Sequence, residues 1–358
     1  MSVRRTLSAV LPFVLLSLIV SCELTFCNQS RAAERKPVAQ HRRPGAAVLS
    51  LDGRVLYVTN QRSGTLSLID TDALTAVEQP LGQQLSDIAA VTTADSTQLL
   101  ITDFAGHQLI VVDTKATGSL TTGSATSRHT RPAPSAPVVS QRIETAQYPV
   151  SVSVSEDGRS ACVASLWSRR VTFFEQERAD TSRQWRSVAQ LDLSFAPRET
   201  AFIDRERVVV ADAFGGRFAI VSVNERRLIA EHNLPIHNVR ELSVSGGVLF
   251  LTHQRLDPAV PTDHDNIHWG VLMQNEVAAI PVADLLTTTP EIKQQWSLGE
   301  AGNGAGDPEA IVVTDDRLFV TYGGTGELAL IDRVGVREVR VPVGIRPVDV
   351  TFDERTSR

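Results

Sequence analysis

Hydrophobic and polar residues alternate along short stretches of this chain, and turn residues separate the stretches. In "GRVLYVTNQRSGTLSLIDT" (residues 53–71), an alternating run leads to Ser63-Gly64, and a second alternating run follows. A period of two predicts a half-buried β-strand, and a Gly-containing break between two such runs predicts a hairpin turn. This stretch is therefore predicted to form a β-hairpin.

The hairpin pattern recurs along the chain. Four further copies are "STQLLITDFAGHQLIVVDT" (96–114), "GRSACVASLWSRRVTFFEQ" (158–176), "RERVVVADAFGGRFAIVSV" (205–223) and "DRLFVTYGGTGELALIDR" (316–333). Another copy opens with "GGVLFLTHQ" (246–254) and resumes at "NEVAAIPV" (275–282). Each copy follows a short strand-like run that ends in a turn, so the pattern belongs to a repeating unit.

The repeat predicts a β-propeller. The first strands of the units start near Ala46, Asp87, Ser151, Glu199, Glu241, Glu309 and Asp349. Successive starts are 40 to 48 residues apart, except for spacings of 64 and 68 residues. Four short antiparallel strands need about 40 residues, the length of one propeller blade. We therefore expect an all-β, WD40-like propeller of seven blades over residues 44–358.

The residues Tyr57-Val58-Thr59-Asn60 stand in a repeat that resembles the YVTN-family β-propellers, which are named for this tetrapeptide. The resemblance covers about residues 44 to 358. It implies the propeller fold but not one activity, because propellers carry out binding, scaffolding and enzymatic roles.

The two long spacings contain insertions of different character. Residues 114–141 are rich in Ser, Thr, Ala and Pro, which is typical of a low-complexity surface loop. Residues 255–274 contain Trp, Met, His and Asp, so we expect this segment to fold and to cover one face of the propeller.

The seventh unit has only its innermost strand before Arg358, and the charged linker at residues 33–43 lacks a strand pattern that would complete it. Propellers usually close by pairing strands from both ends of the chain. We therefore expect an incomplete last blade and a sequence that is a piece of a longer protein.

The N-terminus is predicted to be an export signal, residues 1–32. Arg4-Arg5 precede an apolar run from Ala9 to Val20, too short to span a bilayer. Cleavage after the small-x-small sequence Ser30-Arg31-Ala32 is one alternative, and a lipobox that leaves Cys22 acylated is the other. Both predict a periplasmic or cell-surface protein that contacts the membrane only through its signal or a lipid anchor.

The charge of the chain argues against nucleic-acid binding, and its cysteine content argues against a disulfide framework. The formal net charge is −6, and it becomes −8 once residues 1–32, with three Arg and one Glu, are removed. Such a chain is not expected to bind nucleic acid. Cys22 and Cys27 lie in or beside the signal, so Cys162 would be the only thiol of the propeller domain; a disulfide framework is therefore not expected, and a core position is.

The aligned repeat starts predict a ring of carboxylates, because innermost strands line the channel of a propeller. The acidic positions are Asp87, Glu199, Glu241, Glu309 and Asp349, and Arg198, Arg240 and Arg346 lie at or near equivalent places. One interpretation is a charge-balanced, water-filled channel mouth. The other is a site for a cationic ligand or a hard cation such as Ca²⁺.

A second candidate site is a metal cluster in and beside the later insertion. Its members are His253, Asp263, His264 and His268, with Asp265 between them. His264 and His268 are four residues apart, which aligns them on a helical turn, and imidazole and carboxylate groups are ligands of transition metals. A solvated Asp/His loop is the alternative interpretation.

The stretch "LFLTHQRLDP…HDNIHWGVLMQNEVAAI" resembles the propeller part of large exported bacterial di-haem cytochromes c of the MauG/peroxidase-like group. The resemblance implies docking to a haem domain or another protein partner. This chain has no C-x-x-C-H motif, so it is not expected to attach c-type haem covalently.

Two functions follow from these observations. The first is a non-enzymatic binding or scaffold module, since no Ser-His-Asp or Cys-His unit stands out. The alternative is a metal-dependent, lactonase-like hydrolase in which Glu199, Glu241 and Glu309 hold a divalent ion at the channel mouth.

Overall fold

The computed structural model describes residues 41–92, 96–115, 137–178, 183–300, 302–334, 337–353 and 356. The predicted signal peptide, including Cys22, lies outside these residues. No helix in the described part of the chain is long and apolar enough to span a membrane.

The described chain forms six antiparallel sheets, and strands adjacent in the chain are adjacent in each sheet. The first blade contains β1 (Pro44–Leu49), β2 (Val55–Asn60), β3 (Thr65–Asp70) and β4 (Ala76–Pro80). The second contains β5 (Leu85–Thr92), β6 (Ser96–Asp103), β7 (Gln108–Lys115) and β8 (Val138–Glu144). The third contains β9 (Pro149–Val154), β10 (Ser160–Ser165), β11 (Arg170–Arg178) and β12 (Arg183–Asp192).

The remaining blades follow the same order. The fourth contains β13 (Pro197–Phe202), β14 (Arg207–Asp212), β15 (Arg217–Ser222) and β16 (Arg227–Asn233). The fifth contains β17 (His237–Ser245), β18 (Val248–Leu256), β19 (Met273–Pro281), β20 (Gln294–Glu300) and the two-residue β21 (Asn303–Gly304), with helix α1 (His264–His268) and a 3₁₀ turn (Asp284–Leu286). The sixth contains β22 (Pro308–Val313), β23 (Arg317–Tyr322), β24 (Glu327–Asp332) and β25 (Glu338–Pro342).

The first strands of the blades contact one another in series and surround a central channel, which is the arrangement of a β-propeller. Apolar side chains from both faces of the sheets fill the spaces between neighbouring blades. Cys162 is fully buried among residues between the third and fourth blades, where burial raises the pKa of its thiol. The all-β propeller prediction is confirmed.

The predicted number of seven blades is wrong, because the described part of the chain contains six. The seventh unit is represented by residues 347–353, to which no strand is assigned. This segment lies between the sixth and first blades: Asp349 Oδ2 accepts a hydrogen bond from Ala47 N at 2.5 Å, and the ring of Phe352 stacks on Phe319 at 5.3 Å.

Both predicted insertions have regular structure at their edges. The last residues of the first insertion form part of β8, the outermost strand of the second blade. The second insertion begins inside β18 and ends inside β19, and it carries α1 between them. Asp263 caps α1, since its side chain accepts a hydrogen bond from Asn266 N.

Candidate functional site

The predicted channel carboxylates lie on first strands of successive blades. Asp87 is on β5, Glu199 on β13, Glu241 on β17 and Glu309 on β22, and Asp349 lies in residues 347–353, to which no strand is assigned. All five of these residues are partly exposed. Asp87, Glu199, Glu241 and Asp349 are close enough for their charges to repel one another.

Two of these carboxylates bridge neighbouring blades. Asp87 Oδ2 accepts from Val152 N of the third blade at 2.7 Å, and its Oδ1 accepts from Ile88 N at 2.8 Å. Asp349 repeats this arrangement with Ala47 N of the first blade and with Val350 N, at 2.5 and 2.6 Å.

Where the third unit has a serine instead, the same bridge is kept. Ser151 Oγ accepts from Thr200 N of the fourth blade at 3.2 Å. The start of the innermost strand therefore serves to tie successive blades together through their backbone amides.

Burial of the channel carboxylates favours their protonated forms. Burial raises the pKa of Asp349 to about 7 and that of Asp87 to about 6, although amide hydrogen bonds oppose both shifts. Burial, followed by the negative charge of Asp87, raises the pKa of Glu199 well above its usual value. Burial and then the charge of Glu199 do the same for Glu241.

Arginine side chains neutralise the remaining acids at the channel mouth. Arg240 lies 3.1 Å from Asp307 and 3.6 Å from Glu309, and Arg346 lies 3.4 and 3.1 Å from the same two residues. Arg198 is close to these charges, and burial lowers the pKa of its guanidinium, as does the nearby charge of Arg240. Asp307 was not among the predicted site residues.

The structure does not assemble the predicted histidine cluster. His253 is fully buried on β18, where its Nε2 lies 3.7 Å from Glu276 Oε2, and burial lowers the pKa of its imidazole. His264 and His268 stack on each other on α1, and His264 is exposed beside Asp265. Within the described residues, no group of three or more His, Cys, Asp or Glu side chains is arranged to hold a metal ion.

Exposed aromatic side chains mark the same end of the propeller and were missed by the sequence analysis. Trp167 and Phe214 occupy equivalent turns of the third and fourth blades, and their rings stack at 5.9 Å although both are more than half exposed. Trp269, at the end of α1, is 60% exposed. The detectable signal was an aromatic residue at the same place in two polar turns, "SLWSRR" and "DAFGGR".

These turns and the starts of the innermost strands form one surface, which we call the channel-mouth face. It comprises the connections between the second and third strands of the blades and the residues that precede each first strand. Between the first and second blades this face has a pocket lined by His41, Arg43, Gln61, Arg62 and Gln84. The face therefore combines exposed aromatic rings with a basic pocket.

The fold identifies the chain as a β-propeller protein. Hydrazine synthase of Kuenenia stuttgartiensis has a similar structure, with a TM-score of 0.69, 16% sequence identity, and coverage of 90% of this chain and 92% of that chain. A putative 6-phosphogluconolactonase from Bacteroides fragilis has a TM-score of 0.57 and 15% identity, with coverage of 86% and 85%. The Pan2 WD40 domain of Neurospora crassa has a TM-score of 0.53 and 11% identity, with coverage of 88% and 83%.

These similarities concern the fold alone, because all three identities are low. No protein-family model matches the chain, and no curated protein matches it in sequence.

Proposed function

We propose that this protein is an exported β-propeller that binds a partner protein through its channel-mouth face. The observation that carries the proposal is the exposed, stacked pair Trp167 and Phe214. Aromatic side chains are the commonest anchors of protein interfaces, since they bury a large apolar area at low entropic cost.

The partner is expected to present apolar side chains beside carboxylates. The apolar groups would cover Trp167, Phe214 and Trp269, and the carboxylates would approach the pocket that contains Arg43 and Arg62. Electrostatic complementarity of this kind sets orientation and raises association rates.

The chemistry of the channel supports binding over catalysis. Asp87 and Asp349 are occupied by amide hydrogen bonds between blades, and Glu309 is paired with arginines. These contacts give Asp87, Asp349 and Glu309 structural roles, which agrees with the charge-balanced interpretation of the channel mouth.

The finer identity of the partner rests on the sequence. The YVTN-like repeat and the stretch that resembles the propeller part of di-haem cytochromes c favour a redox domain with c-type haem as the partner. The haem would belong to that domain, since this chain has no C-x-x-C-H motif. Binding would take place in the periplasm or at the cell surface.

The test is chemical crosslinking in the native host, followed by affinity purification and mass spectrometry. Crosslinked partner peptides should map to the channel-mouth face and fall about tenfold or more in the variant Trp167→Ala/Phe214→Ala. The control is Leu51→Ala/Leu74→Ala, which removes two exposed apolar side chains from the opposite face. Equal recovery of partner peptides from both variants would contradict the proposal.

The alternative function is a metal-dependent, lactonase-like hydrolase with its site in the channel. The mutual repulsion of Glu199 and Glu241 favours it, because a divalent cation such as Ca²⁺ would relieve that repulsion. Such an ion would polarise a lactone carbonyl or activate water. Metal analysis of the purified chain before and after chelation tests this alternative, and the absence of a stoichiometric ion would eliminate it.

A further inference from the structure

Two successive blades place an arginine at the channel mouth. Arg198 and Arg240 immediately precede Glu199 and Glu241, which lie at equivalent places on β13 and β17, the innermost strands of the fourth and fifth blades. On β22 of the sixth blade the same position holds Glu309. The two arginines can therefore be compared by what the following blade offers to each of them.

The junction between the fifth and sixth blades gives Arg240 two carboxylates. Its guanidinium lies 3.1 Å from Asp307 Oδ1 and 3.6 Å from Glu309 Oε2. Asp307 is the residue before β22, and its φ of 53° places it in the left-handed region. The repeat itself thus supplies the counter-ions of this arginine.

The junction between the fourth and fifth blades offers Arg198 no such carboxylate. Asn238 takes the place of Asp307, with a similar φ of 51°, and Arg240 takes the place of Glu309. The side-chain amide of Asn238 donates to Gln254 Oε1 at 3.1 Å. An amide and a like charge therefore stand where the next junction has two negative charges.

Arg198 is consequently a poorly compensated cation. Among the described residues, no carboxylate lies within ion-pair distance of its guanidinium, and Asp307 and Glu309 act on it only through longer-range charge. Glu199 follows it in the chain, but burial raises the pKa of that carboxyl and favours its neutral form. Removing a charge from water without giving it a partner is costly. Arg198 is partly exposed, so an anion from solvent can reach it.

We propose that the channel mouth binds the carboxylate group of a ligand at the junction between the fourth and fifth blades, where Arg198 holds it. The bound carboxylate would take the place beside Arg198 that Asp307 takes beside Arg240. A guanidinium can donate two parallel hydrogen bonds to a carboxylate, which fixes the orientation of the ligand.

The surroundings favour a carboxylate that is attached to an apolar body. Phe214 O accepts a hydrogen bond from Asn238 N at 3.3 Å, so the turn that carries Phe214 adjoins this junction. The Phe214 side chain is 57% exposed, and its ring stacks on Trp167. A flat apolar group beside the carboxylate would cover this ring.

Two sources can supply such a carboxylate: a free small molecule, or an acidic side chain of the partner protein proposed above. The site is defined by residues of this chain alone, so it does not depend on the existence of that partner.

Benzoate is the probe, and benzamide is its neutral counterpart of similar shape. Both are titrated against the full mature chain after chelation, so that no metal ion bridges the carboxylate, and binding is followed by ligand-observed NMR. We expect saturable binding of benzoate and at least about tenfold weaker binding of benzamide. Arg198→Gln should weaken benzoate binding about tenfold or more. The control Arg205→Gln removes the same charge from a turn on the opposite face and should change affinity by less than about twofold.

Asn238→Asp is a complementary variant, because it gives this junction the carboxylate that Asp307 provides at the next one. It should weaken benzoate binding about tenfold or more by occupying Arg198. It should also raise the urea midpoint of the free chain, and that gain should disappear when Arg198→Gln is added. Asn224→Asp changes an exposed residue on the opposite face, so it is the charge-matched control and should show neither effect.

The same variant distinguishes the two sources of the carboxylate in the crosslinking experiment. Asn238→Asp should lower the recovery of partner peptides if the partner supplies the carboxylate, and it should leave recovery unchanged if a small molecule does. Benzoate binding by the purified chain is expected in both cases, so failure of the partner-protein proposal and failure of the carboxylate site are distinguishable.

Equal benzoate binding by the wild-type chain and by Arg198→Gln would overturn the proposal, as would equal binding of benzamide and benzoate. So would a change in stability on Asn238→Asp that is the same with and without Arg198→Gln, because the two side chains would then not face each other.

Discussion

Asp87 and Asp349 each accept hydrogen bonds from two backbone amides, one in their own strand and one in the next blade. A buried amide without a partner is costly, so a short acidic side chain at this position supports the junction between two sheets. Glu199 and Glu241 occupy equivalent places with a longer side chain, and their pKa values are raised by burial and by neighbouring negative charge.

Glu241→Gln should make stability less dependent on pH. The raised pKa means that the folded chain holds a proton that the unfolded chain releases above about pH 4.5. The stabilisation is therefore complete below that pH and is lost as pH rises toward the folded pKa. The free energy of unfolding, measured by urea denaturation between pH 5 and 8, should fall less steeply with pH in the variant. The two slopes should differ by at most about 1.4 kcal/mol per pH unit.

The control for this measurement is Glu156→Gln, because Glu156 is exposed at a turn on the opposite face. Its slope should match that of the wild-type chain. If Glu241→Gln also retains the wild-type slope, Glu241 does not hold a proton in the folded channel near neutral pH.

Residue-level prediction from the sequence succeeded where the repeat itself carried the information. Aligned repeats place equivalent residues at the same height in a channel, so the carboxylates could be located without a structure. His253 was grouped with His264 because the two are close in sequence, yet the strand holds His253 between blades while α1 carries His264 to the surface. Trp167 and Phe214 were missed because exposure of an apolar side chain is a property of packing and not of pattern.

At the scale of elements, the hairpins of the repeat were predictable because both of their strands alternate around a glycine-containing turn. The seventh unit was predicted as part of a blade, but no strand is assigned to residues 347–353. The described residues form five four-stranded sheets and one five-stranded sheet.

Val58→Ala and Val210→Ala should differ in cost although the two valines occupy the same register position. Val210 is fully buried against the third blade, so its truncation should lower the free energy of unfolding by about 2 kcal/mol or more. Val58 is partly exposed, so its truncation should cost less than about 1 kcal/mol. Urea denaturation of both variants measures the difference, and equal costs would mean that Val58 is covered in the free protein.

At the scale of the whole molecule, the ring depends on a contact between residues far apart in the chain. Five junctions join blades that are consecutive in sequence, and their innermost strands pack directly on each other. The junction between the sixth and first blades instead contains residues 347–353, and the hydrogen bond from Ala47 N to Asp349 spans 302 residues. Closing so long a loop has an entropic cost. The hydrogen bond that closes the ring must therefore offset a larger loss of chain entropy than a contact between blades that are consecutive in the chain.

Asp349→Ala should therefore open the ring at one place. Removing the carboxylate leaves Ala47 N and Val350 N without their acceptor, which should lower the free energy of unfolding by about 1 to 3 kcal/mol. Amide exchange should accelerate in β1 and in residues 347–353 and stay unchanged in the third and fourth blades. Asp87→Ala is the matched control, because it removes the same kind of bridge and should instead accelerate exchange at Val152. If Asp349→Ala accelerated exchange evenly across all blades, the six sheets would unfold as one cooperative unit, and the junction between the sixth and first blades would not be the weak point of the ring.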